Sequence, residues 1–216
     1  KTNIIKNRKL VCNFHKLDID NLKTIKQVHG NKIVIVSDLK KETSTIEADA
    51  MITDKPNIIL GILTADCAPI LVLDYEKNII AAIHIGWKGA IKNILTKTLK
   101  AFIKMGSKIN DINIAIGPCI GPESYEVKKD FYDKFTKYNL NNKNYFYNFN
   151  SNKFKFDLPQ YIIDEAINNG VIKDNITNIN KDTFNEKNNF FSYRRNYINN
   201  LGNCGRMIST IVINKK

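Results

Sequence analysis

The sequence predicts one domain of the α+β class, built on mixed sheets. Three observations carry that expectation. A chain of 216 residues has the size of one full domain at about 100 to 200 residues each, and no repeat or linker-like stretch divides it, so residues 1–216 are read as a single unit. Short β-branched runs alternate with amphipathic helical stretches. At least two of the runs are joined too tightly for a helical crossover, so the sheet is not purely parallel.

Taken in order, residues 33–36 (Ile-Val-Ile-Val) and 58–63 (Ile-Ile-Leu-Gly-Ile-Leu) are of strand type. Residues 70–74 and 79–85, separated by Tyr75-Glu76-Lys77-Asn78, read as a buried antiparallel hairpin, apolar on both faces. The turn Gly86-Trp87-Lys88-Gly89 leads into Ala90, Ile91, Ile94, Leu95, Thr98, Leu99, Phe102 and Met105 at helical spacing, closed by Gly106 as a C′ glycine. Residues 112–116 read as a strand entering the turn-rich stretch 117–122, and 128–138 as a short helix with aromatics on one side. An Asn-rich loop is expected over 139–152. A strand over 154–157, a helix over 158–169 ending at Gly170, and late strands over 190–193 and 207–213 complete the pattern.

Hydrophobic residues at 43% and charged residues at 25% exclude collagen-like and wholly disordered readings. The longest apolar stretch, Asn57 to Leu73, is interrupted by Thr64, Asp66 and Pro69, so no membrane anchor is expected. The first eight residues lack the pattern of a signal peptide, which points to the cytoplasm, and the start without Met points to a missing upstream stretch. Cys12, Cys67, Cys119 and Cys204 are too scattered for a disulfide scaffold, so reduced thiols are expected. A net charge of +12 would ordinarily raise nucleic acid as a partner. Here Lys, Asn and Ile make up roughly 40% of the chain, and the basic residues are spread evenly rather than gathered in a patch, so no nucleic-acid partner is expected. Against that Lys bias, the four Arg stand out: Arg8, Arg194, Arg195 and Arg206. Arg in such a chain marks places where a planar fork of donors is needed.

Only His15, His29 and His84 are available for imidazole chemistry. A four-copper oxidase needs on the order of ten imidazoles, so this chain can hold at most one His₂Cys site, a set that suits catalytic zinc. If residues 75–78 form the turn, 74 faces 79 and His84 lies opposite Pro69. Cys67, two positions beyond Pro69 on the same face, is then a diagonal neighbour of His84, close enough for one metal to bridge them. His29 cannot be placed by this geometry. A lone Cys is otherwise a small core residue. His15, Cys12 and Cys204 have no partner pattern and are read as structural, and Trp87 as a packing residue.

The stretches Gln27-Val28-His29-Gly30, Thr64-Ala65-Asp66-Cys67-Ala68-Pro69, His84-Ile85-Gly86-Trp87-Lys88-Gly89, Gly117-Pro118-Cys119-Ile120-Gly121-Pro122, Phe156-Asp157-Leu158 and Phe191-Ser192-Tyr193-Arg194-Arg195 resemble, in this order, the signatures of the YfiH or laccase-domain family. The resemblance runs from Asn7 onward. It implies a four-layer α/β/β/α fold and a mononuclear zinc site of His29, Cys67 and His84. The implied activity is phosphorolysis of adenosine, inosine and methylthioadenosine, with deamination of adenosine beside it. The family also carries the labels polyphenol oxidase, with copper as the alternative metal, and peptidoglycan editing factor. Three departures stand out: Lys88 replaces the usual Arg of the Gly-Trp-Arg-Gly turn, Asp182-Thr183 replaces a Cys-Thr, and the family's Arg- and Gly-rich N-terminal segment has no counterpart before Asn7.

The H-x-E and P-C-x-x-C pattern of cytidine-type deaminases is absent. Any deamination must therefore use another proton shuttle, for which Asp66 beside Cys67 is the candidate. Phosphorolysis needs an anion site. The Gly86 to Gly89 turn with Lys88 is one candidate, and Arg194 or Arg206 another, with strand alternation allowing only one of Arg194 and Arg195 to face the site. Gln27 joins these as a candidate substrate contact. Three function classes follow: the nucleoside enzyme, with a nucleoside and phosphate as its small-molecule partners; a hydrolase with Cys67 as nucleophile and His84 as base, such as a peptidoglycan-precursor amidase; and a metal-binding interaction protein. A monomer is expected.

Overall fold

A computed structural model describes residues 2–150 and 152–214 of the chain. Its helices are α1 (Thr2–Phe14), α2 (Trp87–Ile91), α3 (Ile94–Lys104), α4 (Lys129–Tyr138), α5 (Leu158–Asn168) and α6 (Tyr193–Ile198). The strands are β1 (Leu22–Lys23), β2 (Ile33–Ile35), β3 (Ala50–Thr53), β4 (Ile59–Thr64), β5 (Ala68–Asp74) and β6 (Ile79–Ile85), followed by β7 (Ile112–Ile116), β8 (Glu126–Lys128), β9 (Phe146–Asn150), β10 (Lys153–Phe156), β11 (Ile176–Asn178) and β12 (Met207–Ile211). They form a six-stranded sheet in the order β11-β7-β5-β6-β3-β2 and two three-stranded sheets, β1-β4-β12 and β8-β10-β9. Parallel and antiparallel pairs occur together, as the mixed α+β expectation requires.

The β5–β6 hairpin holds the centre. All seven residues of β6 are buried, which is why its sequence is apolar on both faces. One face carries Ile52, Ile70, Val72, Ala81 and Ile83 against Leu95, Leu99 and Phe102 of α3 and Ile162 of α5. The other carries Met51, Ile80 and Ala82 against Leu60 and Ile62 of β4, with Leu71 and Ile211 packed beside them. The small sheet thus covers the back of the large one. Just after α1, His15 Nε2 lies 3.0 Å from Thr210 Oγ1 of β12, which brings the end of that helix to the small sheet. The layers run helix, sheet, sheet, helix.

The third sheet and α4 enclose an aromatic cluster. Phe135 and Phe156 are fully buried, with ring centroids 4.7 Å apart, and Phe131 stacks on Phe135 at 5.0 Å. This cluster accounts for a correction. Residues 139–152 are not a loop: a 3₁₀ turn over Leu140–Tyr145 leads into β9, which pairs with β10, while Ser151 lies outside the described residues, as does Lys1 at the start. Asn142 is buried and donates to Phe135 O at the end of α4 (2.9 Å), and Asn139 receives Asn141 N (3.0 Å). The asparagines therefore cap and turn, and packing of Phe146 against Phe156 overrides the weak strand propensity around it.

Two more expectations change. The helix over 90–105 is broken at Lys92–Asn93. Asn93 takes a left-handed φ of 56°, and the stretch from Trp87 that reads as a turn is the helix α2. Residues 190–193 do not form a strand; Ser192, fully buried, is the N-cap of α6 and receives Arg195 N at 3.1 Å. Elements without a clear sequence signal are α1, β1, β3, β8 and β11, most of them short and held by tertiary pairing.

Candidate metal centre and its pocket

The hairpin register pairs Asp74 with Ile79 and Pro69 with His84, so the arithmetic from the sequence places Cys67 beyond the ladder on the side of His84. His29 comes from the loop after β1, at a left-handed φ of 57°, and Asp66, just before Cys67, has φ 86°. Two non-glycine residues in this region flanking one site indicate a backbone held there by its surroundings. One donor atom from each of His29, Cys67 and His84 lies within 4.8 Å of the others. Cys67 Sγ is 3.8 Å from His29 Nε2, and the two imidazoles meet edge to face at 4.7 Å.

Backbone closeness makes this convergence possible. A Cβ added at Gly86 would stand 2.9 Å from Cys67 Sγ and 3.1 Å from His29 Cδ2, so only glycine leaves room at the start of α2. The His29 loop is docked on the same helix, because Asn31 Nδ2 donates to the Lys92 carbonyl freed at the helix break (2.8 Å). Asp49, immediately before β3, is fully buried and receives His84 Nδ1 at 2.7 Å.

The charges are strongly coupled. Burial opposes the Cys67 thiolate, but hydrogen bonds and charge from His29 and His84 outweigh it and bring the thiol down to about 7. Burial likewise opposes the His84 imidazolium, and the bonds to Asp49 and Cys67 push it up to about 9. Burial also opposes the Asp49 carboxylate, but the bond and charge of His84 and the backbone N–H groups of Gly30 and His29 outweigh it and hold Asp49 below its usual range. Two imidazoles and a thiol poised to ionise, with one imidazole oriented by a carboxylate, form a donor set that could hold one metal ion.

The triad lines a cavity of about 810 Å³ that also contains Gln27, Asp66, Lys88, Arg194 and Arg206, every residue the sequence nominated for substrate. Their engagement differs. The Gln27 side chain is bonded on both sides to the backbone of Leu63, donating to its carbonyl (2.8 Å) and receiving its N–H (2.9 Å). Asp66 receives Thr183 Oγ1 (2.8 Å) and Arg194 N (2.7 Å), one on each oxygen. Arg194 donates from Nη2 to Glu126 O (2.6 Å), with its guanidinium 5.4 Å from the Tyr125 ring centre. Arg195 turns away and donates to the carbonyls of Thr183, Phe184 and Phe190. The pair is separated as the sequence reading required, but by the 100° step of a helix rather than by strand alternation. Arg206 donates to the carbonyls of Cys204 and Gly205, and Lys88 lies over Trp87 with Nζ 5.6 Å from the ring centre.

Several residues of the site escaped the sequence reading. Asp49 sits in Ala48-Asp49-Ala50, where an acid inside an apolar run is the one signal. Tyr125 and Tyr193 wall the cavity, and burial pushes the Tyr125 phenol well up. Thr64 Oγ1 is buried there with no hydrogen-bond partner among the described residues.

Relatives with names share much of this chain. It is 35% identical over 198 residues, 91% of its own length and 79% of the relative's, to a Rickettsia conorii protein named purine nucleoside phosphorylase. A Haemophilus influenzae protein of the same name is 34% identical over 187 residues, 86% of this chain and 71% of that one. Among solved structures, YfiH of Bacillus licheniformis matches with a TM-score of 0.89 at 28% identity, over 97% of this chain and 80% of that chain. The likeness to YlmD of Geobacillus stearothermophilus, TM-score 0.88 at 23% identity over 99% and 81%, concerns the fold. The sequence pattern of the family described as multi-copper polyphenol oxidoreductase laccase matches residues 1–214, and with a YfiH structure sharing its fold, this chain belongs to that laccase-like, YfiH-type family.

Proposed function

We propose that this chain is a purine nucleoside phosphorylase that works at a metal held by His29, Cys67 and His84. The observation that carries the reading is that the triad and three cationic side chains, Lys88, Arg194 and Arg206, share one cavity of about 810 Å³, large enough for a nucleoside and phosphate. None of the three cations forms an ion pair among the described residues. The names of the Rickettsia and Haemophilus relatives support the same class. The proposed substrates are adenosine, inosine and methylthioadenosine, with adenosine deamination as a side activity.

Bound zinc would supply a Lewis acid of net charge near +1 with one open position. Lys88, Arg194 and Arg206 hold the phosphate, spreading its charge over guanidinium and ammonium donors as an oxygen approaches the sugar carbon. Trp87, Tyr125 and Tyr193 provide flat walls for base and sugar and exclude water. As the glycosidic bond breaks, the sugar carbon gains the phosphate oxygen and the base leaves with the bonding electrons. In phosphorolysis Asp66 anchors, one oxygen accepting Arg194 N at the start of α6 and the other Thr183 Oγ1, which ties both to the segment bearing Cys67; in the deamination side activity it is the proposed proton shuttle. Gln27 shapes the wall through Leu63. Lys88 supplies charge without the fork of the family's usual Arg.

The label of copper oxidase fits poorly with the donors: three histidines in the whole chain, one of them bonded to Thr210, do not make a multinuclear copper centre. One observation favours a second reading, a Cys/His hydrolase: the Cys67 thiol brought down to about 7 beside two imidazoles. Inosine cleavage separates the two. The parent is expected to form ribose 1-phosphate only when phosphate is present and to lose this on chelation and in Cys67→Ala. Phosphate-independent hydrolysis that survives chelation and stops on alkylation overturns the phosphorylase reading.

A further inference from the structure

We propose that Asp49 is the positioning residue that sets both imidazoles of the metal site, acting as one carboxylate for two ligands. The inference rests on the metal reading above, and extends it to a residue that touches no substrate. Asp49 is fully buried. Its Oδ1 accepts His29 N (2.9 Å) and His84 Nδ1 (2.7 Å), and its Oδ2 accepts Gly30 N (2.6 Å) and Val28 N (3.3 Å). Three successive backbone N–H groups converging on one anion form a nest, which the left-handed φ of 57° at His29 makes possible. The same carboxylate therefore stabilises the unusual backbone of one ligand and consumes Nδ1 of the other, leaving Nε2 of His84 as the nitrogen available to a metal. The backbone locks the pair further, since His84 N donates to Asp49 O at 2.7 Å.

An amide cannot substitute here in either orientation. With its NH₂ at the Oδ2 position, Asp49→Asn sets a donor against the N–H groups of Val28 and Gly30 and loosens the loop that carries His29. With its NH₂ at the Oδ1 position, it opposes His29 N and donates to His84 Nδ1, which moves the imidazole proton to Nε2 and closes the ligating atom. Each orientation costs one ligand.

Zinc affinity, measured by competition with a chromophoric chelator, tests this without reference to turnover. Asp49→Asn is expected to bind Zn²⁺ about 10- to 100-fold more weakly than the parent while keeping its far-UV spectrum. Asp74→Asn is the control: Asp74 is also fully buried, at the other end of β5, where it receives Lys77 N at 3.0 Å. That variant is expected to melt at a lower temperature with unchanged zinc affinity. Asp49→Asn binding within twofold of the parent, or Asp74→Asn losing as much affinity, overturns the inference. If Asp49→Asn does not fold, ¹⁵N spectra of the parent decide, with His15 as the internal reference. Zinc is expected to shift Nε2 of His84 while Nδ1 keeps its proton; deprotonation at Nδ1 overturns the proposal. A parent that takes no zinc removes this inference and the metal reading together, whereas zinc binding with the expected Asp49 effect but no inosine phosphorolysis removes only the purine reading.

Discussion

Gly86 shows how finely single residues set this site. Its φ of −92° suits any amino acid, so what excludes a side chain is the 2.9 Å approach to Cys67 Sγ. Gly86→Ala is expected to keep the fold while displacing the thiol, at about 1 to 3 kcal/mol of overpacking, and zinc titration together with a thermal melt would show affinity falling more than stability. Arg194 and Arg195 divide by role. Arg194→Ala is expected to weaken phosphate binding by about 1.5 to 3 kcal/mol, read from the phosphate dependence of inosine cleavage, with zinc affinity intact. Arg195→Ala removes the donor to three carbonyls and is expected to lower stability by at least about 2 kcal/mol in urea unfolding. At this scale the sequence made Cys67 and His84 legible because a short hairpin converts spacing into distance. The family signatures nominated His29, whose left-handed conformation no local pattern announces. Asp49 stayed hidden because its importance is the sum of four long-range hydrogen bonds.

Among the elements, α3 has a borrowed cap. Asn93 makes no side-chain cap, and instead Glu165 of α5 accepts Thr96 N (3.2 Å) and Thr96 Oγ1 (2.9 Å) on one oxygen. Its other oxygen is buried with no hydrogen-bond partner among the described residues. Burial outweighs the Thr96 bonds and pushes the carboxyl up from 4.5 to about 7. Between those values the folded chain holds a proton that the unfolded chain has released. The contribution of Glu165 is thus fullest below 4.5, is lost as pH rises to 7, and is constant above. His84 and Cys67 titrate in the same window, so the contribution is read as a difference: between pH 5 and pH 8 in urea unfolding, the parent is expected to lose on the order of 2 to 3 kcal/mol more than Glu165→Gln. An unchanged slope in Glu165→Gln would place its origin elsewhere. The cap also illustrates what element patterns carry. Period and termination gave the hairpin its register and α5 its bounds. The Asn-rich stretch reads as a loop and Ser192 as part of a strand because asparagine and serine serve caps, turns and loops alike, and only their hydrogen-bond partners separate these uses.

For the whole molecule, one apolar hairpin shared by two cores determines the layer order. The six-stranded sheet buries both faces, one under helices and one under the small sheet, and the alternation of apolar and polar residues that would reveal a half-exposed sheet is correspondingly faint. No helix among the described residues is long and apolar enough to cross a membrane. The three candidate ligands come from separate parts of this architecture: the loop after β1, the approach to β5, and β6. With a metal bound as proposed, His29 and Cys67, 38 positions apart in sequence, are joined by a cross-link that can be removed without breaking a covalent bond. At about 100 times its dissociation constant, free zinc would add about 2.7 kcal/mol, so chelation is expected to lower the melting temperature by roughly 5 to 10 °C, and a melt indifferent to chelator would count against the site. The laccase-like sheet assembly would then take part of its strength from solution, and the surrounding free-zinc level would help set what fraction of the chains is folded.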